Sequence, residues 1–194
     1  MKSLHIITFL LINLIYCSTI SQEKYFQQKV DTYIDVKLDD KEHFLYGYEK
    51  IVYTNNSNQN LDSIVIHLWP NAYQNIDTEL GKQKIEDGQL YIKYAPNYTR
   101  GYIDSLEFKV NSKPVEWNLS DKHIDIAILI LNKSLKKGDS IEITTPFRVK
   151  IPSGRFSRLG HIGQSYQITQ WFPKPAVYDV DGWHPLPYLN QGEF

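Results

Sequence analysis

Lys29–Thr54 reads KVDTYIDVKLDDKEHFLYGYEKIVYT, and its period decides the fold class. Val30, Thr32, Ile34, Val36 and Leu38 alternate with Asp31, Tyr33, Asp35, Lys37 and Asp39. Successive side chains of a strand point to opposite faces, so a period of two predicts one buried and one solvated face. Asp39-Asp40-Lys41-Glu42 then has the composition of a turn. Beyond it Phe44–Thr54 alternates again, with Leu45, Gly47, Glu49, Ile51 and Tyr53 set against Tyr46, Tyr48, Lys50 and Val52. Two alternating runs joined by a short polar turn form an antiparallel pair.

The β pattern continues along the chain. Asn55–Asn60 is an Asn-rich polar loop, and Ser63–Leu68 is a third strand that ends at Trp69-Pro70. Ala72–Gln89 has no clean period and is expected to form a long loop or a short helix, and Leu90–Tyr94 a short strand. Tyr102–Val110 and Pro114–Asn118 bracket a hairpin turn at Asn111-Ser112-Lys113. Ile124–Leu131, IDIAILIL, is apolar enough to predict burial on both faces. Ser140–Val149 closes the series before Ile151-Pro152-Ser153-Gly154. About eight short strands at close spacing predict an all-β domain, an antiparallel open sheet or sandwich.

With 194 residues, there is room for one domain with its own core. The net charge is −1 and the charges are interspersed, which argues against a nucleic-acid partner. The nearest approach to a basic run, Lys133–Lys137, reads as a solvated turn before Gly138-Asp139. Met1–Ser21 has the anatomy of a secretory signal: Lys2, an apolar run Ile6–Tyr16, then Thr19 and Ser21 ahead of Gln22. That run is shorter than the ~20 residues a spanning helix needs. The expectation is a cleaved leader, a mature domain over 22–194, a secreted or periplasmic location, and no stable membrane insertion. Cys17 is the single cysteine and lies inside the leader. A mature domain without cysteine has no disulfide and no thiolate metal site.

The closing stretch is of a different kind. Gln167–Phe194 reads QITQWFPKPAVYDVDGWHPLPYLNQGEF, with prolines among aromatics and a DGW turn. Proline fixes φ and removes a donor, so this cannot be one regular strand. Trp171, Phe172, Trp183 and Tyr188 offer large rigid contact area, either to pack against a following domain or to line a peptide or carbohydrate groove. Gln191-Gly192-Glu193-Phe194 reads as a strand just beginning, which makes the segment one half of something larger.

The residues of this stretch carry a resemblance. Thr169-Gln170-Trp171-Phe172-Pro173, Ala176-Val177-Tyr178-Asp179, Gly182-Trp183-His184-Pro185 and Gln191–Phe194 resemble the end of the N-terminal domain of zinc aminopeptidases of the aminopeptidase N family, particularly its secreted bacterial branch. Tyr33–Asp39, Leu45–Tyr48, Tyr53–Ser57 and Leu61–Leu68 resemble that domain's opening strands, so the likeness runs from about Lys29 to Phe194. It implies a saddle-shaped, mostly antiparallel β-domain that is not itself catalytic. Such a domain walls the substrate cleft, helps bind the peptide N-terminus, and docks its catalytic domain through the aromatic segment. Family members hold zinc on H-E-x-x-H, two histidines one helical turn apart with a glutamate as general base. Here His5, His43, His67, His123, His161 and His184 are never followed by Glu, and no two lie four residues apart. The resemblance therefore places zinc in a separate catalytic domain, leaves this chain without a cofactor of its own, and makes it inactive alone.

In related aminopeptidases a glutamine upstream of a Phe-Pro pair reaches into the active site, where its amide oxygen can accept from a substrate α-ammonium. The resemblance implies Gln164, Gln167 and Gln170 as substrate-binding candidates. Gln170 stands directly ahead of Phe172-Pro173, whereas spacing counted back from that pair favours Gln164. The alternative is one strand carrying alternate exposed glutamines. Asp179-Val180-Asp181-Gly182 echoes the start of a calcium loop, but the twelfth position is Asn190, so it reads as a turn. His161 and His184 have no ligand-spaced partners and read as structural. Two other function classes stay open: a free-standing extracellular module binding peptide or glycan, and a docking scaffold.

Overall fold

A computed structural model describes residues 25–191. Met1–Ser21, the stretch read above as a leader, and the closing Gly192-Glu193-Phe194 lie outside the described residues. In chain order the strands are β1 Lys29–Asp39, β2 Phe44–Thr54, β3 Leu61–His67, β4 Tyr102–Asp104, β5 Lys109–Val110, β6 Lys113–Pro114 and β7 Glu116–Leu119. They continue with β8 Ile126–Leu135, β9 Ser140–Lys150, β10 Gly160–Ile162, β11 Ser165–Gln167, β12 Lys174–Pro175, β13 Val177–Asp179 and β14 Gly182–His184. One sheet runs β1-β2-β9-β5-β6, with β4 also on β9, and a second runs β12-β3-β8-β7. The pairs β10-β11 and β13-β14 are separate hairpins. All named pairings are antiparallel, and both sheets keep open edges, as the alternation predicts.

The inner faces of the two sheets enclose the main core. Leu45, Ile51, Tyr53, Ile141, Ile143, Phe147 and Val149 of the first sheet meet Leu61, Ile64, Ile66, Ala127, Leu129 and Leu131 of the second. Gly47 is required in that face, because a Cβ there would collide with the Phe147 ring. A second cluster gathers Trp69, Tyr73, Leu80, Ile92, Phe156, Leu159 and Tyr188. It sits under the helix Glu79–Glu86, whose N-cap Thr78 accepts from Gly81 N at 3.1 Å.

The expected turns are present. Asp39 Oδ1 accepts from Lys41 N and Glu42 N at 3.0 and 3.1 Å, closing β1 onto β2. Asn111 and Ser112 both take left-handed φ, 49° and 66°, which suits a two-residue hairpin turn.

Three local expectations are corrected. The apolar row of β1 does point inward, opposite Tyr53, Ile51, Glu49, Gly47 and Leu45, but β1 is the rim strand, and of the row Ile34 packs only partly against the main core. Val30, Val36 and Leu38 stay 40–41% exposed in consequence. The IDIAILIL run is buried on both faces only at its start, where Ala176 and Trp183 of the closing segment pack on Ile126; further along, Ile128 and Ile130 are exposed. Tyr91–Tyr94 is a single helical turn instead of a strand, held by burial of Ile92 in the second cluster. The undecided stretch before it contains the helix Glu79–Glu86.

Asn55 ties the sheets together. The chain leaves β2 for β3 through 55–60 and returns from β8 to β9 through 136–139, at the same end of the sandwich. Asn55 is fully buried. Its Nδ2 donates to Gln59 O at 2.7 Å and Leu135 O at 3.0 Å, and its Oδ1 accepts from Ser57 N at 3.0 Å and Ser57 Oγ at 2.6 Å. Its backbone accepts from Gly138 N at 2.7 Å and donates to Asp139 O at 3.0 Å. Removing the side chain orphans buried groups in the β2–β3 loop and at the end of β8, so Asn55→Ala is expected to lower unfolding free energy by roughly 2–4 kcal/mol. Denaturant titration checks it, and a loss within a few tenths of a kcal/mol would contradict the assigned role.

Glu49 is the opposite case. It faces the core from β2, is fully buried, and neither carboxyl oxygen has a hydrogen-bond partner. Burial alone pushes its pKa from 4.5 up to about 8. The folded chain thus holds the proton that the unfolded chain releases. This residue's unfavourable contribution is absent below pH 4.5 and grows as pH rises toward about 8. Glu49→Gln is expected to flatten that decline in stability between pH 5 and 8, read from denaturation midpoints at several pH values.

Candidate functional site

The C-terminal segment is bound along the edge of the second sheet. β12 pairs with β3, setting Lys174 opposite His67 and Pro175 opposite Ile66. Further along, Ala176 N donates to Val65 O at 2.9 Å and Tyr188 N donates to the buried Asp125 Oδ2 at 2.7 Å. Between these anchors the chain turns through β13 and β14, where Asp179 faces Gly182 across the hairpin. The sequence reading of Asp179–Gly182 as a turn therefore holds, with Gly182 at φ 101°.

This path builds a cleft of about 310 Å³ lined by His67, Trp69, Lys174, Pro175, Val177, Asp179, His184 and Leu186. Trp69 is its floor. The His67 ring stacks on it at 4.6 Å, and Lys174 Nζ lies 3.7 Å from its ring centroid. Trp69 Nε1 donates to Leu186 O at 3.1 Å, which fixes the indole.

The polar groups are strongly perturbed. His67 is 6% exposed and its Nε2 has no partner. Burial, and then the Lys174 charge, pull its pKa down to about 4, so the imidazole is neutral. Burial brings Lys174 down to about 8, which leaves its ammonium ready to lose a proton near neutral pH. Opposite them, His184 Nε2 lies 2.8 Å from Asp179 Oδ1. His184 is the main cause holding Asp179 below the usual carboxylate range, followed by the bond from Asp181 N. Apolar walls with a few convergent, perturbed polar groups are the usual make-up of a small-ligand site. Among the described residues no three His, Cys, Asp or Glu side chains converge as a metal set.

Of the three glutamines, Gln170 does not line this cleft but bonds Lys174, which does. Its Oε1 accepts from Lys174 Nζ at 2.5 Å, and its backbone takes the left-handed φ of 54° that a non-glycine residue adopts only under constraint. Gln164 lies in the two-residue turn between β10 and β11, and Gln167 ends β11, both exposed. The three do not share a strand, so the alternating-strand alternative does not describe them. The turn Gly163-Gln164 has Gly163 at φ 57°. This hairpin is pinned by a stack of His43 on His161 at 3.6 Å and by Tyr166 O–H donating to Asp40 O at 3.2 Å.

Sequence reasoning missed the cleft. His67, Trp69 and Lys174 lie over a hundred positions apart at the extremes, and only the β12–β3 pairing brings them together. The one local signal was a Trp-Pro pair directly after a strand. The aromatics of the closing stretch divide: Tyr188 is buried in the second cluster, while Trp171, Phe172 and Trp183 are partly buried against the main core. If burial sets the Lys174 amine, a lysine resonance is expected to titrate near pH 8 in NMR of the dimethylated chain. That resonance should vanish in Lys174→Arg, and a spectrum in which no lysine titrates near pH 8 would contradict the assignment.

No family model matches the chain, and no curated protein does. Among solved structures it is similar to an M1 zinc metallopeptidase from Deinococcus radiodurans, at 13% identity and a TM-score of 0.37 over 67% of this chain and 21% of that one. It is also similar to a mutant of the M1 zinc metallopeptidase from that organism bound to a Tyr-Ser-Ala substrate, at 13% identity and a TM-score of 0.38 over 67% and 21%. A further mutant from Deinococcus radiodurans aligns at 14% identity and a TM-score of 0.40 over 73% and 25%. The chain thus spans about a fifth to a quarter of the length of those proteins. Likeness this loose assigns neither a family nor an activity.

Proposed function

We propose that the chain is the non-catalytic β-domain of a secreted zinc aminopeptidase, and that it walls the substrate cleft and contributes a polar contact to the peptide N-terminus. The single observation that supports this most is Gln170. Its backbone is constrained in the left-handed region at the head of the aromatic segment, and its amide oxygen already accepts from an ammonium, that of Lys174, at 2.5 Å. A peptide α-ammonium presents the same donor to the same oxygen. In this reading Lys174 holds the place that a substrate N-terminus takes, and its lowered affinity for the proton eases the exchange. The second support is the motif resemblance from Thr169 to Asp179, to which Gln170 belongs. Zinc and the general base would come from another domain.

Two measurements test the reading. Amide NMR of the chain, titrated with a short peptide bearing a free N-terminus, is expected to shift Gln170 and Lys174. Acetylating the peptide or introducing Gln170→Ala should abolish the shift, and Lys174→Met should strengthen binding by removing the competing ammonium. Equal response to free and acetylated peptide would sink the N-terminus contact. Reading the gene beyond the codon for Phe194 tests the larger claim, since an open frame leading to H-E-x-x-H is expected.

A further inference from the structure

β1 leaves a sheet rim open. Over the eleven residues Lys29–Asp39 it pairs with β2 on one side, and no described residue pairs with its other edge. A long strand edge presents a row of unpaired N–H and C=O groups, which proteins either cover or guard with charge. Here the edge is accompanied on its inner face by Val30, Ile34, Val36 and Leu38, three of which are 40–41% exposed. On the outer face it carries Lys29, Asp31, Tyr33, Asp35, Lys37 and Asp39.

Guarding charges of one sign repel in every register, but these alternate in a self-complementary order. In an antiparallel pairing of two copies about a two-fold axis through Ile34, Lys29 faces Asp39 and Asp31 faces Lys37, each pair occurring twice. On the inner face the same register sets Val30 against Leu38, Thr32 against Val36, and Ile34 against itself. Neighbouring registers fail. Centred on Tyr33, Lys29 meets Lys37 and Asp31 meets Asp35; centred on Asp35, Asp31 meets Asp39 and Asp35 meets itself. Parallel in-register stacking sets every charge on its like. Directly opposed side chains on one sheet face interact at Cβ separations of about 5 Å, and the register centred on Ile34 makes the most opposite-charge pairs, four against two when the axis passes through Thr32 or Val36.

We infer that β1 is a homodimerisation edge, joining two copies of this chain into one continuous sheet about a two-fold axis through Ile34. The contact is isologous and closes on itself, which limits assembly to a pair. The exposed ion pair within the strand, Lys29 Nζ to Asp31 Oδ2 at 3.0 Å, exchanges for the intermolecular pairs at little cost. The inference stands apart from the functional reading above and survives its failure.

Sedimentation velocity of the purified chain over a wide concentration range tests it. A reversible monomer–dimer equilibrium that weakens with salt is expected. Lys37→Asp and Asp31→Lys should each weaken association by about tenfold or more, since each turns two attractive pairs repulsive. An equimolar mixture of the two variants should associate again as a heterodimer, and the double variant Asp31→Lys, Lys37→Asp should recover the parent affinity. Both side chains lie on the solvent-facing side of the rim strand, and unchanged thermal unfolding confirms the fold in each variant. A chain that stays monomeric throughout overturns the proposal and leaves the edge to a different strand. A dimer indifferent to both substitutions overturns it as well.

Discussion

Asn55 sits where the chain leaves the first sheet for the second, and its side chain has no water to turn to. It solves this by bonding Gln59 and Ser57 in its own loop and Leu135 at the end of β8, while its backbone holds the turn from β8 to β9. Two of the crossings between the sheets, β2 to β3 and β8 to β9, are thereby closed by one residue. In a low-dielectric interior a fully satisfied amide adds specificity, because any other spacing of the layers would break several bonds at once. With the layers set, β3 lies where β12 can reach it.

That contact orders the closing segment. A proline-rich stretch has too few donors to form a sheet of its own, so it takes its support from outside. Val65 O, Asp125 and Gln83 supply it, through Ala176 N, Tyr188 N and Asn190 N. The aromatics between these anchors cover the sandwich edge, and the hairpin β13-β14 folds back to complete the cleft over Trp69.

Most buried polar groups in folded chains have partners, and those without one cluster where function or strain retains them. Glu49 and His67 are both buried with unpartnered atoms, and Lys174 is half-buried beside Trp69. Each costs stability in its charged form. His67 and Lys174 line the cleft, and Lys174 donates to Gln170 in its left-handed conformation, so the strained backbone adjoins the shifted proton affinities. Glu49 answers to a different need or to none that the fold reveals.

The alternation of Lys29–Thr54, the turn at Asp39, the Asn111-Ser112 hairpin and the Asp179–Gly182 turn were all legible, because side-chain period and turn chemistry are properties of neighbours along the chain. The irregular nature of the closing stretch was legible for the same reason. Which face of a strand is covered was not. Val36 and Ile128 have the same apolar character as Ile51 and Leu129, yet the first lies on the rim strand and the second past the closing segment that covers Val65 and Ile126, so both are exposed. Nor was the cleft, since His67 and Lys174 meet through a pairing that closes a loop of over a hundred residues. Local sequence thus determined that the chain is β and where it turns; only the tertiary structure decided what each face meets, because burial and proton affinity depend on distant parts of the chain that pack around a group.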